Sequence, residues 1–199
     1  MNDRTAELSD AISAAASAKR SLQIVGGGSK LFYGREPEGE VLAVGDHTGV
    51  TVYDPTELVV TVRAGTRLSE LAEVLRRERQ MLPFEPPLFG PHATIGGTVA
   101  CGLSGPSRPY RGAVRDFVLG VELLNGRGEQ LRFGGQVIKN VAGYDVSRLM
   151  TGAMGTLGVI LDVSIKVHPL PETEKTLCYE LTEQQALKKM NEVSGRPLP

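Results

Sequence analysis

The chain has 199 residues, 41% of them hydrophobic and 23% charged, with a formal net charge of −1. That composition is ordinary for a globular protein, and the balanced charge argues against a nucleic-acid or polyanion binder. Two cysteines without a CxxC spacing, and three scattered histidines (His47, His92, His168), argue against a disulfide framework or a metal site. The opening stretch, Met1 to Lys19, reads as a helix with Leu8 and Ile12 on one face. Asp3, Arg4 and Glu7 make it unlike a targeting segment. Ser21 to Val25 reads as a strand that feeds the run Gly26-Gly27-Gly28-Ser29-Lys30. A Walker loop needs glycine directly before the lysine, and here Ser29 stands there. A dinucleotide fingerprint counted from Gly26 would need glycine where Leu31 stands. Two readings stay open: a plain glycine turn, or backbone N–H groups converging on an anion without Cβ obstruction.

Further along, Val41–Val44, Val50–Tyr53 and Leu58–Ala64 are strand candidates, the last rich in β-branched residues. Thr66 is the expected N-cap of a helix over Leu68–Arg79, with Leu68, Leu71, Ala72 and Leu75 on one stripe. The segment Met81 to Gly112 is dense in proline and glycine, and a long irregular segment inside a domain is usually functional or disordered. Within it, Thr94 signals a short helix over Ile95, Gly96, Gly97 and onward, whose N-terminal N–H groups would face an anion. Phe117–Leu124 reads as a buried strand turned back at Asn125–Gly128 into a hairpin through Leu131 and Phe133. Val159, Leu161, Val163, Ile165 and Val167 alternate, which predicts a half-buried strand. After Pro169 and Pro171, Thr176–Leu181 reads as a strand. Thr182 and Gln185 form a capping-box signal for a helix to about Ser194. The order of elements predicts an α+β domain rather than a doubly wound sheet.

Three segments combine: VGGGSK; Ala93 to Glu129 with its IGG and RDFVLGVELL stretches; and Asn140 to Val167 with GYD and GTLGVI. In this order they resemble the FAD-binding domain of the vanillyl-alcohol oxidase type flavoproteins, the PCMH-type fold. The stretch Phe133 to Gly152, FGGQVIKNVAGYDVSRLMTG, resembles more narrowly the FAD-binding subunits of bacterial glycolate oxidase, also called glycolate dehydrogenase. The resemblance implies two α+β subdomains over residues 1–171, then the beginning of an incomplete cap domain over 172–199. It implies FAD, held at its diphosphate by Gly26, Gly27, Gly28, Ser29 and Lys30 on one side. Thr94, Ile95, Gly96, Gly97 and Ala100 would stand on the other, with Gly158, Val159 and Ile160 running beside the cofactor. Many relatives attach the flavin through a histidine near the first glycine loop. None is near in sequence here, so FAD is expected to be non-covalent.

By the same resemblance, the function is that of one component of a multi-subunit complex oxidising glycolate to glyoxylate. Its expected partners are a homologous flavoprotein subunit and an iron–sulfur subunit. The alternatives are a FAD-dependent D-2-hydroxy acid dehydrogenase, or an assembly subunit of the same fold without catalysis. The expected location is the cytoplasm, with membrane association only through partners. Substrate-facing groups in such proteins come largely from the cap domain, so no catalytic base is assigned. Cys101 falls close to the flavin path and reads more simply as a small buried filler. Arg108, Arg111 and Arg115 are candidate anion contacts that read more simply as surface residues. Asp145 is expected to cap a short helix at Val146–Leu149.

Overall fold

A computed structural model describes residues 1–135 and 143–196; the part of the resemblance lying on Gln136 to Ala142 is outside the described residues. Helix α1 (Thr5–Ser17) buries Leu8, Ile12 and Ala15. Residues 1–4 are not helical: Asn2 instead pairs with Thr48 as an isolated antiparallel bridge. Strands β1 (Leu22–Val25) and β2 (Glu40–Ala43) form a small parallel sheet. Parallel neighbours need a crossover of about a dozen residues, and residues 26–39 supply it, so the glycine run sits in that crossover.

A five-stranded antiparallel sheet forms the rest of the frame. Its strands are β3 (Val50–Asp54), β4 (Val59–Arg63), β6 (Val118–Leu124), β7 (Gln130–Gly134) and β8 (Val159–Lys166), in the order β3-β4-β8-β6-β7. Two-residue strands β5 (Gln80–Met81) and β9 (His168–Pro169) make a third pairing. The order mixes helices with antiparallel hairpins, an α+β arrangement. The hairpin expected at Asn125–Gly128 is present, with the Asn125 carboxamide accepting the N–H groups of Arg127 and Glu129.

Strand β8 departs from the expected half-buried pattern, because only Asp162 and Lys166 are not buried. As the central strand, it is flanked on both edges by β4 and β6. Its one polar residue turned into the interior, Ser164, meets the Thr61 hydroxyl at 2.9 Å, so the polar atom is satisfied.

Helix α2 (Leu68–Arg77) buries Leu68, Leu71 and Leu75, but Arg67, not Thr66, is its N-cap. The Thr66 hydroxyl is used elsewhere, accepting the N–H of Gly49 at 2.9 Å. In the proline-rich segment, α3 (Ile95–Cys101) is capped as expected, the Thr94 hydroxyl accepting the N–H of Gly97. Short turns α4 (Arg108–Arg111) and α5 (Val114–Phe117) lead into β6. At α6 (Val146–Leu149) the Asp145 carboxylate accepts the N–H of Arg148, the expected cap.

The strand expected at Thr176–Leu181 does not form. Leu177, Tyr179 and Leu181 are exposed, and a strand needs a neighbour for its backbone groups, which no described residue supplies here. Helix α7 (Glu183–Ser194) forms with Gln185 accepting the Thr182 N–H, yet it buries no residue.

Candidate functional site

A cavity of about 520 Å³ opens between the small parallel sheet and the end of the five-stranded one. That volume is in the range of cofactor and ligand sites. Its first wall is the end of β1 and the crossover loop, Gly26 to Lys30. Its second is α3 with Thr94, Gly96, Gly97, Ala100 and Cys101, and the head of β8 closes it with Gly158 and Ile160. Of the thirteen positions assigned from sequence, Ile95 and Val159 alone do not line it. Both are buried behind the wall, with Ile95 fully enclosed.

Two glycines of the loop have separate physical reasons. A Cβ on Gly27 would lie 1.5 Å from the carbonyl oxygen of His92, so the crossover and the proline-rich loop touch backbone to backbone there. Gly28 has φ +69°, where a side chain is strained, and the space beyond it is nearly open. Among the described residues, no protein acceptor takes the N–H groups of Gly26, Gly27, Gly28, Ser29 or Lys30. A run of free donors bordering a cavity is what an anionic group would satisfy.

The facing wall differs from the sequence expectation. The Ile95 N–H donates to the Thr66 carbonyl at 3.0 Å and the Gly96 N–H to the Ala64 carbonyl at 2.8 Å. The Gly97 N–H goes to the Thr94 hydroxyl. Two of these donors are therefore spent on tying α3 to the loop after β4 and the third on the helix's own cap, and only the Thr94 N–H lacks a protein acceptor among the described residues. The start of α3 thus serves mainly as a close-packed wall.

Lys30 and Cys101 face the same space. Burial lowers the Lys30 pKa, and the nearby Cys101 opposes the shift. Burial pushes the Cys101 thiol up, with Lys30 opposing. Cys101 is half-buried and lines the cavity, so it is more than interior filler. Arg108, Arg111 and Arg115 do not line it, whereas Arg35 does. Sequence reasoning missed Arg35, Val44, Ala64, Met150 and Met154, which the fold brings in from four separate segments. No local motif marks Arg35, Val44 or Ala64, whereas Met150 and Met154 lie inside the Asn140–Val167 stretch without being assigned to the site. His92, distant in sequence from the glycine loop, is brought against Gly27 through its backbone without lining the cavity.

A model for the FAD binding domain matches residues 3–134. The chain is 49% identical over 197 residues to the glycolate oxidase subunit GlcE of Escherichia coli (strain K12), covering 99% of this chain and 56% of that protein. It is 31% identical over 178 residues to the glycolate oxidase subunit GlcD of Bacillus subtilis (strain 168), covering 87% of this chain and 38% of that protein. A D-lactate dehydrogenase of Archaeoglobus fulgidus is 32% identical over 177 residues, covering 87% and 39% of the two chains. Among solved structures, an alkyldihydroxyacetonephosphate synthase superposes with a TM-score of 0.71 at 22% identity, over 84% of this chain and 31% of that one. The last likeness bears on the fold alone. The chain spans little more than half the length of its GlcE relative.

Proposed function

The chain belongs to the FAD binding domain family, and from that premise we propose that it holds FAD in the glycine-walled cavity as part of a glycolate-oxidising flavoprotein complex. One observation carries the cofactor reading: five successive backbone donors without protein acceptors among the described residues border a cavity of cofactor size. The N–H groups of Gly26, Gly27, Gly28, Ser29 and Lys30 hold the diphosphate, and the Lys30 ammonium adds charge. Thr94, Gly96, Gly97 and Ala100 form the opposing wall, with Ile95 as its buried support. Gly158 and Ile160 run along the cofactor, and Val159 anchors them in the sheet.

Bound FAD supplies a two-electron acceptor for oxidation of a CH–OH carbon. The chain's own residues bind and orient it and keep water from its diphosphate. No histidine lines the cavity among the described residues, which supports non-covalent binding. Residues 1–171 are the FAD-binding unit and residues 172–199 begin a cap domain; the exposed apolar residues of α7 support that division. The identity to GlcE supports glycolate as substrate. Similarity to GlcD supports a homologous flavoprotein subunit as one partner. An iron–sulfur subunit completes the proposed complex. No described helix is long and apolar enough to cross a membrane. The cytoplasmic location, with membrane contact through partners, is part of the proposal and rests on the resemblance. Likeness to D-lactate dehydrogenases favours one second reading, a D-2-hydroxy acid dehydrogenase.

The test is the visible spectrum of the purified chain mixed with FAD and desalted, before and after heat denaturation and filtration. Flavin bands that stay with the folded chain and pass the filter afterwards are the expected result. A folded but colourless protein would point to a non-catalytic assembly subunit. Reduction by glycolate against D-lactate, with and without partner subunits, separates the two oxidase readings.

A further inference from the structure

His47 lies outside the cavity and outside every motif, yet it is 1% exposed. Its Nδ1 accepts the backbone N–H of Arg4 at 3.1 Å. The ring proton is therefore on Nε2, which points at the Asp162 carboxylate 3.4 Å away in β8. One imidazole thus ties the N-terminal strap to the central strand.

The turn that carries His47 touches both walls of the cavity. On one side, the Val44 N–H donates to the Val25 carbonyl at 2.8 Å, at the point where β1 enters the glycine run. A Cβ on Gly45 would lie 3.0 Å from the Gly26 carbonyl oxygen, so the turn packs directly on that run. On the other side, the His47 carbonyl accepts the Gly65 N–H at 2.9 Å. Gly65 is flanked by Ala64 and Thr66, whose carbonyls take the first donors of α3. The turn is therefore a spacer between the two walls, and its side chain anchors that spacer to β8.

We infer that His47 is a positioning residue for the cavity: by fixing the 44–47 turn against Asp162 and Arg4, it sets the separation of the glycine loop from the α3 wall. This rests on the reading of the cavity as a FAD site. A buried histidine satisfied only for its own sake would stabilise the fold without bearing on the walls.

The test compares His47→Leu, His47→Asn and His47→Gln with Ile12→Ala, a variant in α1 outside the cavity. Two readouts are used on the whole 199-residue chain: the FAD dissociation constant, and hydrogen exchange at the Val44 and Gly65 amides without FAD. His47→Leu loses both hydrogen bonds and should weaken FAD binding about tenfold, with faster exchange at both amides. Asn can replace the Nδ1 acceptor and Gln the Nε2 donor, so each should fall between. Ile12→Ala should lower the melting temperature and leave both readouts unchanged. Wild-type exchange and affinity in His47→Leu would overturn the inference, and so would equal loss in Ile12→Ala. If His47→Leu does not fold, Asn and Gln variants that both match wild type would overturn it. A wild-type chain that binds no FAD would reject the cofactor reading instead, and the exchange data would still decide whether His47 fixes the turn.

Discussion

Gly27 and Gly97 carry the same letter and do different work. At Gly27 any side chain meets the His92 carbonyl at 1.5 Å, so the loops must separate. Gly27→Ala should destabilise the chain by about 3 kcal/mol or more, read by denaturant melts, and should abolish FAD retention. Gly97 lies on the cavity wall, and its added Cβ meets only the Thr94 hydroxyl at 3.2 Å. Gly97→Asp should therefore fold with nearly wild-type secondary structure while its carboxylate repels the bound diphosphate. The two cysteines form a second pair of unlike residues. Cys178 is exposed, whereas Cys101 is half-buried with its thiol pushed up by burial. At neutral pH a thiol reagent should modify Cys178 first and Cys101 slowly. FAD should protect Cys101 and leave the rate at Cys178 unchanged; equal protection of both would contradict the assigned cavity.

At the scale of elements, β9 contributes a pH dependence. His168 pairs with Met81 across β5–β9 and packs its ring edge-on to Phe117 at 5.5 Å. Burial lowers its pKa, and the cations Lys166 and Arg111 add to the shift. The folded state thus favours neutral imidazole, and the unfolded chain binds the proton more readily. Stability contributed by the neutral ring is full above the ordinary imidazole value of about 6.5 and is lost as pH falls through the lowered folded value. Urea midpoints of wild type should drop across that window, and His168→Phe should flatten the drop. Helix α7 is the opposite case, an element with correct local signals that buries no residue. Propensity and the capping box favour its helical form. Its exposed Leu187, Met190 and Val193 contribute no burial. Ending the chain at Pro171 should change the melting temperature by no more than about 2 °C. A larger drop would show that the segment is part of the core domain.

For the whole molecule, the cavity joins parts that are distant in the chain: β1, the crossover, the turn at Val44, the end of β4, α3 and the head of β8. A ligand that binds this folded arrangement and not the unfolded chain stabilises it by mass action. FAD at about one hundred times its dissociation constant should add about 2.7 kcal/mol, measured as a concentration-dependent rise in melting temperature. No rise at any FAD concentration would count against the cavity as the cofactor site.

Local chemistry made much of this protein legible from sequence. Apolar period marked α2, turn residues marked the β6–β7 hairpin, and Thr94 and Asp145 marked their caps, because each depends on neighbours a few residues away. The ordered glycine motifs identified the cofactor family and the glycine-rich part of the cavity lining. Sequence could not say that β8 is buried almost throughout, because that follows from its central place between β4 and β6. Nor could it say that the donors of Ile95 and Gly96 are spent on Thr66 and Ala64, or that His47 holds Arg4 and Asp162 together. It predicted a strand at Thr176–Leu181, where alternation is present and, among the described residues, a pairing partner is not. Helices and turns satisfy most of their backbone groups within a few residues, so sequence by itself determined them. Strand burial, the spending of loop donors and the spacing of the cavity walls depend on segments far apart in the chain, and tertiary structure alone decided them.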